Sequence, residues 1–128
     1  MIDAGQEPQP LTVTTAAEGG MVVISLAGEL DMVTAPLVLQ HLSESLEQGH
    51  TRLVFDLAGL SFCDSTGLAV LVRAKNRCDA AGGFVRLAAM QPGVLQLLEI
   101  AGLQDVFQPS LTVADARGAT EDGRAATD

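Results

Sequence analysis

Leu53-Val54-Phe55-Asp56-Leu57-Ala58-Gly59-Leu60-Ser61-Phe62-Cys63-Asp64-Ser65-Thr66-Gly67-Leu68 is the stretch on which the reading of this chain turns. Its opening, taken with Thr51 and Arg52 and running to Leu57, is apolar at most steps and predicts a buried strand. Gly59 to Cys63 predicts a loop. Asp-Ser-Thr-Gly ahead of an apolar period has the chemistry of a helix N-terminus, where Asp64 or Ser65 accepts from free backbone N–H groups. Gly67 in the first turn leaves a face without a side chain, so another backbone can approach closely. The helix is expected to run to about Ala81 and to stop at Gly82-Gly83. It would bury Gly67, Leu68, Leu71, Ala74 and Cys78. Ala69, Val72, Arg73 and Asn76 would point the other way and form a candidate docking face.

Outward from this stretch the elements alternate. Upstream, Leu11 to Thr15 is β-branched and alternating, Glu18-Gly19-Gly20 is a turn signal, and Met21 to Leu26 is a strongly apolar strand; together they predict an antiparallel hairpin. Gly28-Glu29-Leu30-Asp31 ends it. Thr34-Ala35-Pro36 opens a helix with Thr34 as N-cap, burying Ala35, Val38, Leu39, Leu42 and Leu46, and Gly49 closes it. Downstream, Phe84 to Ala88 predicts a strand and Pro92 to Ala101 a helix followed by Gly102. Val106-Phe107 is assigned to a short strand or docking segment, and Thr112 to Ala116 to a last short helix. The order β-β-α-β-α-β-α predicts an α/β fold. Its mixed sheet has four to five strands, the first two antiparallel and the others joined by parallel crossovers, with helices packed mainly on one face.

Composition narrows the function. The chain has 128 residues, enough for one domain with a core of its own. It carries 16 Asp+Glu against 7 Lys+Arg, a net charge of −9, and no Trp or Tyr. A nucleic-acid partner asks for a basic footprint and often for stacking aromatics, and an anionic membrane surface asks for cations; neither partner is expected. Residues 1–10 read as a flexible leader and 117–128 as a disordered tail, leaving a domain over 11–116. No basic residue precedes Arg52, so a secretory leader with a charged start is not expected, and the location expected is cytoplasmic. Cys63 and Cys78 match no zinc spacing and no C-x-x-C motif, which fits buried thiols in a reducing compartment.

Enzymatic readings find little support. A nucleophilic Ser65 needs a base, and the two histidines, His41 and His50, lie on the first helix and the turn after it. There is no G-x-S-x-G elbow and no phosphate-binding loop with its Lys. Whether Asp31 and Asp64 meet in space is open at this level. No enzyme, no metal site and no cofactor are expected, and the expected state is a monomer.

The run from Leu53 to Leu68 resembles the core of the STAS domain family, in particular its bacterial anti-sigma factor antagonists. In these proteins an apolar-x-Asp-Leu strand leads to Asp-Ser-[Ser/Thr]-Gly-Leu at a helix start. Gly28-Glu29-Leu30-Asp31 with Thr34-Ala35 resembles a second family block, and Leu97 to Leu103 with Phe107 a third. Met32-Val33 departs from the polar residues common after the second block. The resemblance implies a STAS-like fold over 11–116. It also implies a function. The unphosphorylated protein binds an anti-sigma factor that is itself a serine kinase and so releases a sigma factor. Phosphorylation switches binding off, and a serine phosphatase restores it. Carried onto this chain, Ser65 is the acceptor with Thr66 as the alternative, and Asp31, Asp64, Thr66 and Gly67 join Ala69, Val72, Arg73 and Asn76 at the partner contact. The alternative is a STAS-type module that binds a lipid or nucleotide, or acts as a scaffold, without a kinase switch.

Overall fold

Nine elements follow one another in the computed structural model, which describes residues 10–118. They are β1 (Thr12–Glu18), β2 (Met21–Leu30), α1 (Ala35–Glu47), β3 (Arg52–Cys63), α2 (Ser65–Ala80), β4 (Phe84–Ala88), α3 (Pro92–Ile100), α4 (Gln104–Phe107) and α5 (Val113–Gly118). The sheet order is β1-β2-β3-β4. β1 and β2 pair antiparallel, and β2-β3 and β3-β4 pair parallel. This is the expected mixed sheet with four strands. Instead of a fifth strand, Ser110 makes a single parallel bridge to Ala88. Val106 and Phe107 belong to the short helix α4.

Gly19 and Gly20 turn the hairpin with φ of +61° and +82°, the left-handed pair that matches the twist of its strands. Alternation then sorts the side chains. Val22, Ile24 and Leu26 of β2, Leu53, Phe55 and Leu57 of β3, and Val85 and Leu87 of β4 enter the main core. There they meet Val38 and Leu42 of α1, Leu71 and Ala74 of α2, and Val94 and Leu98 of α3. The opposite face is covered in part by α5, where Ala116 and Val113 pack on Val54, Ala88, Met21 and Val23. Arg86 Nη1 donates to the Ala116 carbonyl at 3.1 Å, and Arg117 pairs with Glu18. Arg117 and Gly118 therefore belong to a helix and not to the tail expected from 117 onward; residues 1–9 and 119–128 lie outside the described residues. Among the described residues no helix is long and apolar enough to cross a membrane.

Further expectations are corrected. Gly59 to Cys63 is strand, not loop: Gly59, Leu60, Phe62 and Cys63 pair with Ala27, Gly28, Glu29 and Leu30, with two register shifts. β2 likewise continues through Gly28 to Leu30. Gly28, at the expected end of β2, and Gly59, at the expected start of a loop, serve close approach instead. A Cβ on Gly59 would sit 2.8 Å from Ala27 Cβ, and one on Gly28 would sit 2.5 Å from the Pro10 carbonyl oxygen. Second, Thr34 stands at the N-cap position of α1 as expected, but its side chain makes no cap hydrogen bond. Its hydroxyl donates to the Glu29 carbonyl at 2.8 Å and accepts from the Asp31 N–H at 3.0 Å.

Candidate functional site

Parallel β2 and β3 both end at one edge of the sheet, and their ends are partners, Leu30 opposite Cys63. Each is followed by an aspartate. The Asp64 N–H donates to the Leu30 carbonyl at 3.3 Å, which ties the two exits together. Asp31 and Asp64 are thus brought to the same edge.

Each carboxylate organises its own turn. Asp31 Oδ1 accepts from the N–H groups of Val33 at 2.9 Å and Thr34 at 3.1 Å. Asp64 is the N-cap of α2, and its Oδ1 accepts from the Gly67 N–H at 2.9 Å. Because Asp64 makes the cap, Ser65 is not needed for it, and Ser65 and Thr66 both stand exposed on the first turn. Gly67 is buried and has the role its sequence position suggested. A Cβ there would come within 2.7 Å of the Leu30 carbonyl oxygen and 2.9 Å of Cys63 Sγ. The exit of β2 therefore presses directly on the start of α2.

Burial widens the inward stripe of α2 beyond the expected set. Val70 is buried, and Val72 is half-buried and packed against the main core. Val72 is one helical step of about 100° from Leu71 and falls at the border of the stripe. It does not stand on the outward face, so Val72→Asp would disturb folding as well as docking. Ala69, Arg73 and Asn76 are exposed as expected. The sequence reading missed other exposed apolar side chains: Met32 and Val33 after β2, Phe62 near the end of β3 and Ile100 at the end of α3. The signal available for the first two was their departure from polar character.

Cys63 and Cys78 are buried free thiols. Burial, seconded by Asp64 for Cys63 and by Asp79 for Cys78, raises both pKa values to about 11. They are protonated side chains of the core near neutral pH. Among the described residues no group of three or more His, Cys, Asp or Glu could hold a metal ion. His41 Nδ1 lies 3.1 Å from Thr15 Oγ1, on the flank where α1 crosses β1 and away from Ser65.

Residues 12–116 match the STAS domain family. The chain belongs to this family. It is 29% identical over 119 residues to the anti-sigma-F factor antagonist RsfB of Mycobacterium tuberculosis, spanning 91% of this chain and 95% of that protein. It is 33% identical over 89 residues to the anti-sigma-B factor antagonist of Bacillus subtilis, spanning 70% and 81%. The crystal structure of an anti-sigma factor antagonist from Mycobacterium paratuberculosis superposes with a TM-score of 0.78 at 29% identity, covering 87% of this chain and 94% of that one. In this STAS domain the Asp64-Ser65-Thr66-Gly67 turn lies on the edge where the parallel strands end.

Proposed function

We propose that this STAS protein is an anti-sigma factor antagonist. Its unphosphorylated form docks, through the edge that carries Ser65, on an anti-sigma factor that is also a serine kinase, and so frees a sigma factor. Phosphorylation of Ser65 ends the interaction, and a serine phosphatase restores it. The protein acts as a switched partner, not as a catalyst, and works as a monomer in the cytoplasm. The observation that carries the reading is the division of labour at the start of α2. Asp64 holds the helix cap, which leaves the Ser65 hydroxyl exposed on the first turn.

The physics of the switch follows. A phosphate on Ser65 lies at a helix N-terminus, where backbone N–H groups and the helix dipole favour negative charge. The fold therefore tolerates it. The same phosphate adds about −1.5 to −2 charge beside Asp64 and Asp31 on a surface that must lose water to dock. A charge buried without a partner costs several kcal/mol, against about 1.4 kcal/mol per tenfold in affinity.

The test compares wild type, Ser65→Ala, Ser65→Glu and Thr66→Ala with a kinase that labels the wild type. Ser65→Ala should bind as wild type and take up no phosphate by intact mass. Ser65→Glu should keep its circular dichroism spectrum and bind about 100-fold more weakly. Phosphate retained on Ser65→Ala and lost on Thr66→Ala would move the acceptor to Thr66, and equal binding by Ser65→Glu would remove the electrostatic switch.

A further inference from the structure

The acceptor edge continues into an apolar groove. Where β3 runs out beside α3, a groove of about 320 Å³ opens, lined by Phe62, Cys63, Val94, Leu97 and Ile100. Cys63 immediately precedes Asp64, so the groove is continuous with the turn that carries Ser65. Ile100 is 75% exposed and Phe62 47%. Glu29 pairs with Phe62 across the sheet, and β2 leads on from there to Met32 and Val33 at 72% and 81% exposure. Large apolar side chains gathered in water along one edge mark an interaction surface.

Charge selects what can sit there. The three segments that build this edge, 28–34, 56–69 and 89–104, contain Glu29, Asp31, Asp56, Asp64 and Glu99 and no Lys, Arg or His. No residue lining the groove is charged, and the segments around it add carboxylates without a cation, so nothing there pairs with a nucleotide phosphate or an anionic headgroup. A protein surface that offers an apolar side chain flanked by Lys or Arg is complementary in both respects. We infer that the groove receives an apolar side chain from a basic surface of the kinase that phosphorylates Ser65. This inference rests on the function proposed above. The kinase is then held at two points, its catalytic site at Ser65 and its apolar anchor beside Ile100. The groove sets affinity and leaves the phosphoryl-transfer step alone.

The experiment screens purified anti-sigma serine kinases one by one, with ATP and intact-mass detection, for one that labels Ser65. That kinase is then titrated with wild type, Ile100→Gln, Glu99→Lys and Leu111→Gln. Leu111 is 87% exposed and stands outside the groove, so it serves as the control for lost surface hydrophobicity. Thermal melts establish that each variant is folded. Ile100→Gln is expected to bind about tenfold more weakly, since it takes an apolar side chain out of the buried contact. Glu99→Lys should bind several-fold more weakly, and Leu111→Gln should bind as wild type. The phosphorylation rate at saturating substrate should be the same for all. Wild-type affinity of folded Ile100→Gln overturns the groove while leaving Ser65 as acceptor. An equal loss with Leu111→Gln overturns it as well. A screen in which no kinase labels or binds the wild type overturns the functional reading, and the groove with it.

Discussion

The two strand-to-helix junctions at the site edge begin alike and end differently. Leu30-Asp31 and Cys63-Asp64 stand in register on neighbouring parallel strands, and each aspartate accepts from backbone N–H groups of the turn that follows. After Asp31 the chain spends Met32, Val33 and Thr34 before α1 begins; after Asp64, α2 begins at once. Three positions past the aspartate lies Thr34 in one junction and Gly67 in the other. The Thr34 hydroxyl turns back to Glu29, whereas Gly67 lets the Leu30 backbone come in. The same carboxylate-to-backbone bonding therefore gives two surfaces. One pushes two apolar side chains into water, as suits a contact. The other sets a hydroxyl on a helix N-terminus, as suits a charge switch.

The largest way to break the second junction is Gly67→Ala. Its Cβ would meet backbone at 2.7 Å, so α2 or β2 must shift, and overpacking of this kind costs about 2–3 kcal/mol. Urea unfolding should show that loss. Gly93 in the first turn of α3 supplies the contrast, because a Cβ there meets nothing within 4 Å. Gly93→Ala should be neutral or stabilising by less than about 1 kcal/mol. Equal effects at the two glycines would mean that close approach is not what Gly67 serves.

This pair of glycines also shows what could be read in advance. Hydrophobic period placed β4 on its observed residues and α2 and α3 within a residue or so, because burial on one face leaves a local trace. The Asp-Ser-Thr-Gly run gave both the cap and the close approach at α2, since both requirements fall on adjacent residues. Gly28 and Gly59 misled for the opposite reason. Their partners, Pro10 and Ala27, lie far off in sequence, and a glycine required by a neighbouring strand has the same local look as one in a turn. Val72 and the Phe62–Ile100 groove were hidden in the same way. Whether a border residue is covered, or two distant residues line one groove, is decided by how α2 and α3 seat on the sheet.

A second effect, divided between two thiols, follows from what each aspartate leans on. The residue before Asp31 is a hydrocarbon, Leu30; the residue before Asp64 is a thiol. Cys63 and Cys78 ionise at about pH 11 in the folded protein, against 9.0 for an unburied thiol. Between those values the unfolded chain has lost thiol protons that the folded chain still holds. The thiols' contribution to stability is therefore constant below about pH 9 and falls as pH rises toward 11, by about 2 kcal/mol per thiol. Urea midpoints measured from pH 7 to 11 should trace this fall. Cys63→Ala and Cys78→Ala should each remove about half of it, after their own cavity cost at pH 7. An alkaline limb unchanged in the double variant would assign it to other groups.

The smallest effect separates the two aspartates themselves. Asp31 serves two N–H groups and Asp64 one. Removing the Asp64 cap costs about 1 kcal/mol, and Asp31→Ala, which strips two backbone N–H groups of the turn ahead of α1 of their acceptor, costs about 1–2 kcal/mol. Asn keeps the acceptor oxygen and removes the charge, and Asn caps about as well as Asp. Asp31→Asn and Asp64→Asn should therefore recover most of the stability in urea unfolding. Amide exchange gives the local readout: Val33 and Thr34 should exchange faster in Asp31→Ala, and Gly67 faster in Asp64→Ala. Function should divide along the same line. Asp31→Ala loosens the loop that presents Met32 and Val33, so it weakens docking on the kinase while labelling of Ser65 at saturation stays normal. Asp64→Ala frays the first turn under the acceptor, so labelling at saturation slows. Identical profiles for the two alanine variants would show that the edge works as one surface, with no division between contact and switch.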